Sequence, residues 1–254
     1  MTRNLTPATP RAWPSGAEII SADAPATPWT ITHSRLFDDV LNPSGTDIRL
    51  VGATAAETSS IKDAVKLLRA VVPDLYAGIL PHTSFVFLVD GTDAFESASD
   101  RRLPRAAYLN RDMAGDVVRT AEALLHESTH QKLYDLQLLY TIYGATYDPA
   151  SAPTIRPPWH PPDTQWSIDR TTAASHVYVH LTYFLERLRE SVPAGCDAEA
   201  VSRSATQARS RADSLLGALT PHHFTQFNAH GRAFLSWLRH AHHNISTILQ
   251  EGTQ

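Results

Sequence analysis

His126-Glu127-Ser128-Thr129-His130 is an H-E-x-x-H on a strongly helical background, Ala121 to Asp135. Two histidines four apart on a helix lie one turn above each other on one face, so both imidazoles can be presented to a single metal ion. Glu127 sits one position round, close enough to polarise a metal-bound water or to orient a neighbouring group. The chemistry this pattern points to is metal-assisted. A metal held by two histidines needs at least one further protein donor, and the place of that donor separates the possibilities. A Gly and a third His would follow at the positions occupied by Leu133 and Leu136 in a metzincin, so that pattern is absent. A glutamate from a following helix has no candidate between Glu127 and Glu186, and Glu186 lies beside Arg187, a ready partner for its charge. The first candidates are therefore His176 and His180, again four apart on an apolar stripe.

The elements that must hold these residues can be read from periodicity. Val117, Val118, Ala121, Leu124, Leu125, Leu136 and Leu139 recur at helical spacing around the motif, with Asp116 suited to the helix start and Gly144 to a stop. Upstream, the pattern predicts helices over Ile31 to Leu41 and Thr58 to Val72, the latter closed by Pro73, with a turn at Asn42-Pro43-Ser44-Gly45 and a strand or link over Asp47 to Val51. Ser84 to Asp90 is a β-branched and aromatic run that reads as a strand, and Arg105 to Asn110 is a second, weaker one. Downstream, Ala145 to Arg170 is dense in proline and carries Trp159 and Trp166. These two aromatics favour an ordered loop that walls a substrate site over the metal. Helices follow over Thr171 to Glu190, about Asp197 to Leu219, and from Pro221 onward. The expected fold is α+β and mostly helical, with a small sheet beside the H-E-x-x-H helix, the order found in zincin-like folds, and a C-terminal helical layer. Residues 1–28, proline-rich among small residues, read as an extended or mobile arm, and 29–254 as one catalytic domain. Within it the sheet and motif helix occupy 29–144, the Pro/Trp loop 145–170 and the last helices 171–250.

A chain of 254 residues, 43% of them hydrophobic, has enough apolar surface for a substantial core. The net charge of -4 and the lack of a basic run argue against nucleic acid or an anionic membrane as the main partner. No stretch approaches the about 20 apolar residues of a membrane span. The single cysteine, Cys196, excludes an internal disulfide framework and fits a reducing, cytoplasmic setting. Thirteen histidines are many, but six of them crowd the C-terminal end from His222 to His243, so their number alone decides nothing.

Several short motifs in order carry a resemblance. Arg105-Ala-Ala-Tyr-Leu-Asn110, the helix with Ala123-Leu-Leu-His-Glu-Ser-Thr-His-Gln-Lys-Leu133, Pro158-Trp159 and Val177-Tyr-Val-His-Leu181 together resemble the H-E-x-x-H domain of peptide-modification clusters, over roughly residues 60–190. The resemblance implies a mononuclear non-haem iron enzyme that uses Fe(II), 2-oxoglutarate and O2 to hydroxylate a side chain of a peptide or amino-acid-like substrate in natural-product biosynthesis. It makes His126, His130 and His180 the metal ligands. His176 falls where a small residue is expected, which suits it to a substrate or supporting contact. His160 stands where a basic residue usually follows the Pro-Trp, and Arg170-Thr171 where an Arg-Pro is usual. Three facial protein ligands would leave room for a bidentate cosubstrate and oxygen. The distal carboxylate of 2-oxoglutarate calls for a fixed arginine, with Arg170 the first choice and Arg156 the second. The H-E-x-x-H itself equally permits a zinc-dependent metallopeptidase. There Glu127 would be the general base, whereas in the oxygenase it would only orient a ligand or a water.

Overall fold

The structure is a computed structural model that describes residues 18–19, 28–41, 48–91 and 95–251. The expected turn at Asn42 to Gly45, and all of the expected arm except Glu18, Ile19 and Pro28, lie outside the described residues. By its contacts the chain divides into two compact units, Met1–Leu124 and Leu125–Gln254. The architecture is α+β and mostly helical.

The first unit is built on strand β3 (Phe85–Asp90), the apolar run visible in the sequence. It pairs in parallel with β5 (Ala106–Asn110), Phe87 opposite Tyr108, and a short β4 (Ser97–Ala98) adds antiparallel to β5. On its other edge, β1 (Glu18–Ile19) runs parallel beside Phe85 and Val86, and β2 (Arg49–Val51) runs antiparallel beside Leu88 to Asp90. β5 begins one residue later than its pattern suggests. Arg105 adopts a left-handed backbone (φ 62°), and its carbonyl accepts from both Ser84 and Phe85 N–H groups, which closes the corner before the strand. Phe87 stacks on Tyr108 at 5.1 Å, and Phe37 of helix α1 (Pro28–Leu41) packs on the same tyrosine at 5.3 Å. Burial there pushes the Tyr108 phenol up.

Helix α2 (Ala55–Val71) opens with a capping box: the Thr54 hydroxyl accepts from the Glu57 N–H and the Glu57 carboxylate accepts from the Thr54 N–H. Arg111 closes on the same carboxylate, Nε to Oε1 at 2.6 Å. Pro73 does end α2, but it also opens a further short helix, α3 (Pro73–Ile79), for which its fixed φ suits the first turn. Helix α4 (Val117–Leu139) carries the H-E-x-x-H and is unbroken across the boundary between the units.

In the second unit α5 (Ile168–Glu190) packs against α6 (Ala198–Ala218) and α7 (Ala229–Glu251). Asp197 caps α6, accepting from two backbone N–H groups. The core between these elements joins Leu133, Ile155, Ile168, Val179, Leu216, Phe227 and Leu238. Pro221 does not open the last helix. It starts a 3-10 turn, Pro221–Gln226, after which Phe227 bridges Tyr143 and Asn228 caps α7, its Oδ1 accepting from the Gly231 N–H. Gly231 is required there, since a Cβ would lie 2.0 Å from the Ile142 carbonyl oxygen.

The proline-rich segment before α5 is tied by turns within it and by two sets of bonds across it. Ile155 and Trp166 exchange both backbone hydrogen bonds at 2.8 Å, and the Tyr147 hydroxyl donates to Asp169 at 2.6 Å at the start of α5. Among the described residues no helix is long and apolar enough to cross a membrane.

Candidate metal centre

All the residues singled out as candidate ligands lie in the second unit. On α4, His126, Glu127 and His130 each offer a donor atom within 4.8 Å of the others, and they are the one such group of three among the described residues. The helix itself brings them together: the imidazoles sit one turn apart with ring centroids 5.0 Å apart, and the Glu127 carboxylate lies 3.9 Å from His126 Nε2. Glu127 is 2% exposed. A carboxylate so deep needs a cation, a donor or a proton as company. His126 is about one third exposed, at 32% of its side chain. His130 Nδ1 is buried and has no hydrogen-bond partner among the described residues. A buried lone pair or N–H left over in this way is what a metal ion or an ordered water would satisfy. Burial, reinforced by the neighbouring His126, holds His130 down at about 3, so its imidazole is neutral at pH 7 and in the form that binds metal. Two imidazoles and one carboxylate therefore fit a divalent cation by donor chemistry.

His180, the third ligand implied by the resemblance, stands outside that group. It is buried, its Nδ1–H donates to the His176 carbonyl at 2.7 Å, and its ring lies 6.0 Å from Trp237 of α7. This bond fixes the tautomer that leaves Nε2 as the acceptor, the usual arrangement of a ligating histidine. Burial lowers its pKa to about 4, against the opposing effect of the His176 carbonyl and with a further lowering from Lys132. His176 is buried too and packs against Phe234 and Trp237.

Tyr178, between them in sequence, points about 200° round α5 from either histidine and meets His126 edge-on at 6.4 Å. It was not singled out by the sequence, although it lies inside the Val177-Tyr-Val-His run. Trp159 of the Pro/Trp loop meets Tyr178 at 5.9 Å and the buried Trp166 at 6.0 Å. Arg211 of α6 lies over both Trp159 and Tyr178 and donates to the Tyr178 hydroxyl at 2.9 Å. Nothing in its arginine-rich surroundings marked it. Arg170 lies over Trp166 at 4.6 Å, and Arg156 is exposed on the loop. Glu186 pairs with Arg189 and Arg209 rather than with Arg187, whose partner is Glu190.

A scan against models of known protein families finds no match to this chain, and a search of curated proteins finds none either.

Proposed function

We propose that this chain is a mononuclear non-haem iron oxygenase that uses 2-oxoglutarate and O2 to hydroxylate a side chain of a peptide or amino-acid-like substrate, in a natural-product pathway. The observation that carries the reading is the convergence of His126, Glu127 and His130: two imidazoles and one carboxylate form the donor set typical of facial iron sites in oxygenases. The motif order along the chain supports it from the sequence side. Bound iron with 2-oxoglutarate would supply oxygen activation. The protein's own part is to hold the imidazoles in place, to wall the site with Trp159, Trp166 and Tyr178, and to fix the cosubstrate's distal carboxylate. Arg170 is the arginine proposed for that task, with Arg156 second. His180 is the third ligand proposed, as the motif order implies, with Glu127 orienting a ligand or a water. Glu127, which offers a donor atom beside both imidazoles, is the alternative, and metal occupancy of the His180→Ala and Glu127→Gln variants distinguishes them, since loss of the true ligand lowers occupancy.

A zinc-dependent peptidase is the second reading, favoured by the burial of Glu127 against His126, where a general base would act. Anaerobic titration of metal-stripped protein with Fe(II) and then 2-oxoglutarate tests the first. A charge-transfer band rising to a one-to-one end point is expected; its absence, with tight zinc binding and peptide cleavage lost in Glu127→Gln, would replace the oxygenase by the peptidase.

A further inference from the structure

The face of α6 turned toward the Pro/Trp loop borders a groove of about 580 Å³, a size usual for a ligand site. Pro158 and Trp159 form its loop side, and Ser202, Thr206 and Ser210 follow one another along α6 at four-residue spacing, with Arg211 at one end. From Ser202 to Ser210 the helix rises about 12 Å, the reach of about four residues of an extended chain. A wall of proline and tryptophan facing a row of hydroxyls offers apolar contact on one side and hydrogen bonds on the other.

The charges along α6 single out Arg211. Arg203 pairs with Asp197 and Glu199, and Arg209 pairs with the buried Glu186. The nearest carboxylate in sequence, Asp213, is taken by His242 at 2.7 Å. Arg211 alone among the arginines of this helix has no carboxylate partner among the described residues. It is half-buried, its guanidinium 5.2 Å from the Trp159 ring centre and 5.3 Å from that of Tyr178, with Nη1 spent on the Tyr178 hydroxyl. Aromatic faces hold the fork in one plane without neutralising it, and most of its five N–H donors remain for an acceptor.

We propose that this groove binds an extended peptide segment carrying a carboxylate side chain, and that Arg211 is its specificity-determining residue, pairing with that carboxylate. Trp159, which lines the groove, meets Tyr178 at 5.9 Å, and Tyr178 meets His126 at 6.4 Å, so the bound segment would be the substrate's recognition part. That clause rests on the oxygenase reading, while the binding itself does not require metal.

The test uses the full-length, metal-stripped protein and tryptophan fluorescence, with Ac-Gly-Ser-Asp-Ser-Gly-amide as probe and its Asp→Asn counterpart as control. The Asp peptide is expected to bind at least about fivefold more tightly than the Asn peptide, and Arg211→Gln to remove that preference by weakening the Asp peptide about tenfold. Arg211→Lys, which keeps the charge without the fork, should retain part of it. Circular dichroism checks that each variant is folded, and a Ser204→Ala variant, on the same helix but outside the groove, should keep the preference. Equal binding of the two peptides, no binding of either, or a preference that survives Arg211→Gln would overturn the proposal. So would displacement of the Asp peptide by 2-oxoglutarate in an Arg211-dependent manner, because the carboxylate taken would then be the cosubstrate's. None of these outcomes depends on whether iron binds, so a failed iron titration and a failed groove are separate results.

Discussion

Replacing Glu186 by Gln should destabilise the second unit by about 2 kcal/mol, and the figure follows from where its partners end. Glu186 is 2% exposed on α5, with Arg189 at 2.6 Å on its own helix and Arg209 reaching it from α6. Breaking a fully buried ion pair costs about 3–5 kcal/mol, because the surviving charge is left without a partner in a medium of low dielectric. Here the survivors are not fully buried: the Arg189 side chain is 43% exposed and that of Arg209 33%. Partial rehydration of both guanidiniums removes about half of that cost. The share is unequal, since Arg209 is the deeper of the two and joins separate helices. Double-mutant cycles should therefore give a coupling of about 1.5 kcal/mol for Glu186 with Arg209 and under about 1 kcal/mol with Arg189. Urea denaturation at pH 7, followed by circular dichroism at low salt and in 0.5 M NaCl, measures both. Because the carboxylate is buried, the Arg209 coupling should persist in salt. A loss below about 0.5 kcal/mol in Glu186→Gln, or a larger coupling to Arg189 than to Arg209, would refute this account of how α5 and α6 are held together.

Other perturbations have equally definite outcomes. Gly231→Ala should cost about 2–3 kcal/mol, because its new methyl meets the Ile142 carbonyl, while Gly217→Ala in α6, with open space around it, should be neutral or stabilising by about 0.5 kcal/mol; thermal melts decide. Tyr147→Phe should lower stability by about 1–2 kcal/mol and raise proteolysis of the Pro/Trp segment, since the tyrosine both donates to Asp169 and accepts from its N–H. Glu57 is held down at about 2, chiefly by its hydrogen bond from Arg111 and against the opposing effect of burial. A depressed carboxyl stabilises fully above its unfolded value of about 4.5 and loses that contribution as pH falls toward 2. Arg111 is 34% exposed, so the effect is about 1 kcal/mol, and Glu57→Gln should flatten the acid limb of the stability curve in that window.

How far the sequence reaches depends on which force decides each feature. β3 is visible because its burial is continuous, Val86 to Val89 all being buried, and α4 because Ala121, Leu124, Leu125 and Leu133 keep a helical period of buried positions; its last turn departs from the pattern, with Leu138 85% and Leu139 76% exposed. Pro73 and Pro221 show where local signals are ambiguous. Proline ends one element and equally suits the first turn of the next, and only the surrounding chain selects α3 in one case and a short 3-10 turn in the other. The histidine pair of α4 needs no tertiary information, since spacing alone brings its rings together. The pair on α5 does. Periodicity places His176 and His180 on one face and Tyr178 on another, but it cannot say which face meets which neighbour, and in the structure it is Tyr178 that meets His126. Arg211 was hidden for a similar reason. In the run Ser202-Arg-Ser-Ala-Thr-Gln-Ala-Arg-Ser-Arg211 every arginine looks like part of a solvated face, and only folding shows which of them find carboxylates.

The division of the chain between Leu124 and Leu125 falls inside α4, one residue before His126. A fragment cut at that natural seam would keep every candidate ligand and still lose the scaffold that aligns them. The amide groups of residues 125–128 point back to carbonyls of residues 121–124 in an α-helix, and a chain begun at Leu125 would have none of those acceptors. His126 and Glu127 would then sit in a fraying first turn, where nucleation is costly and no cap precedes them. Dissection of this protein therefore has its useful breakpoint upstream of Asp116, whose carboxylate already accepts from the Val118 and Arg119 amides and would carry the helix start along with the ligands.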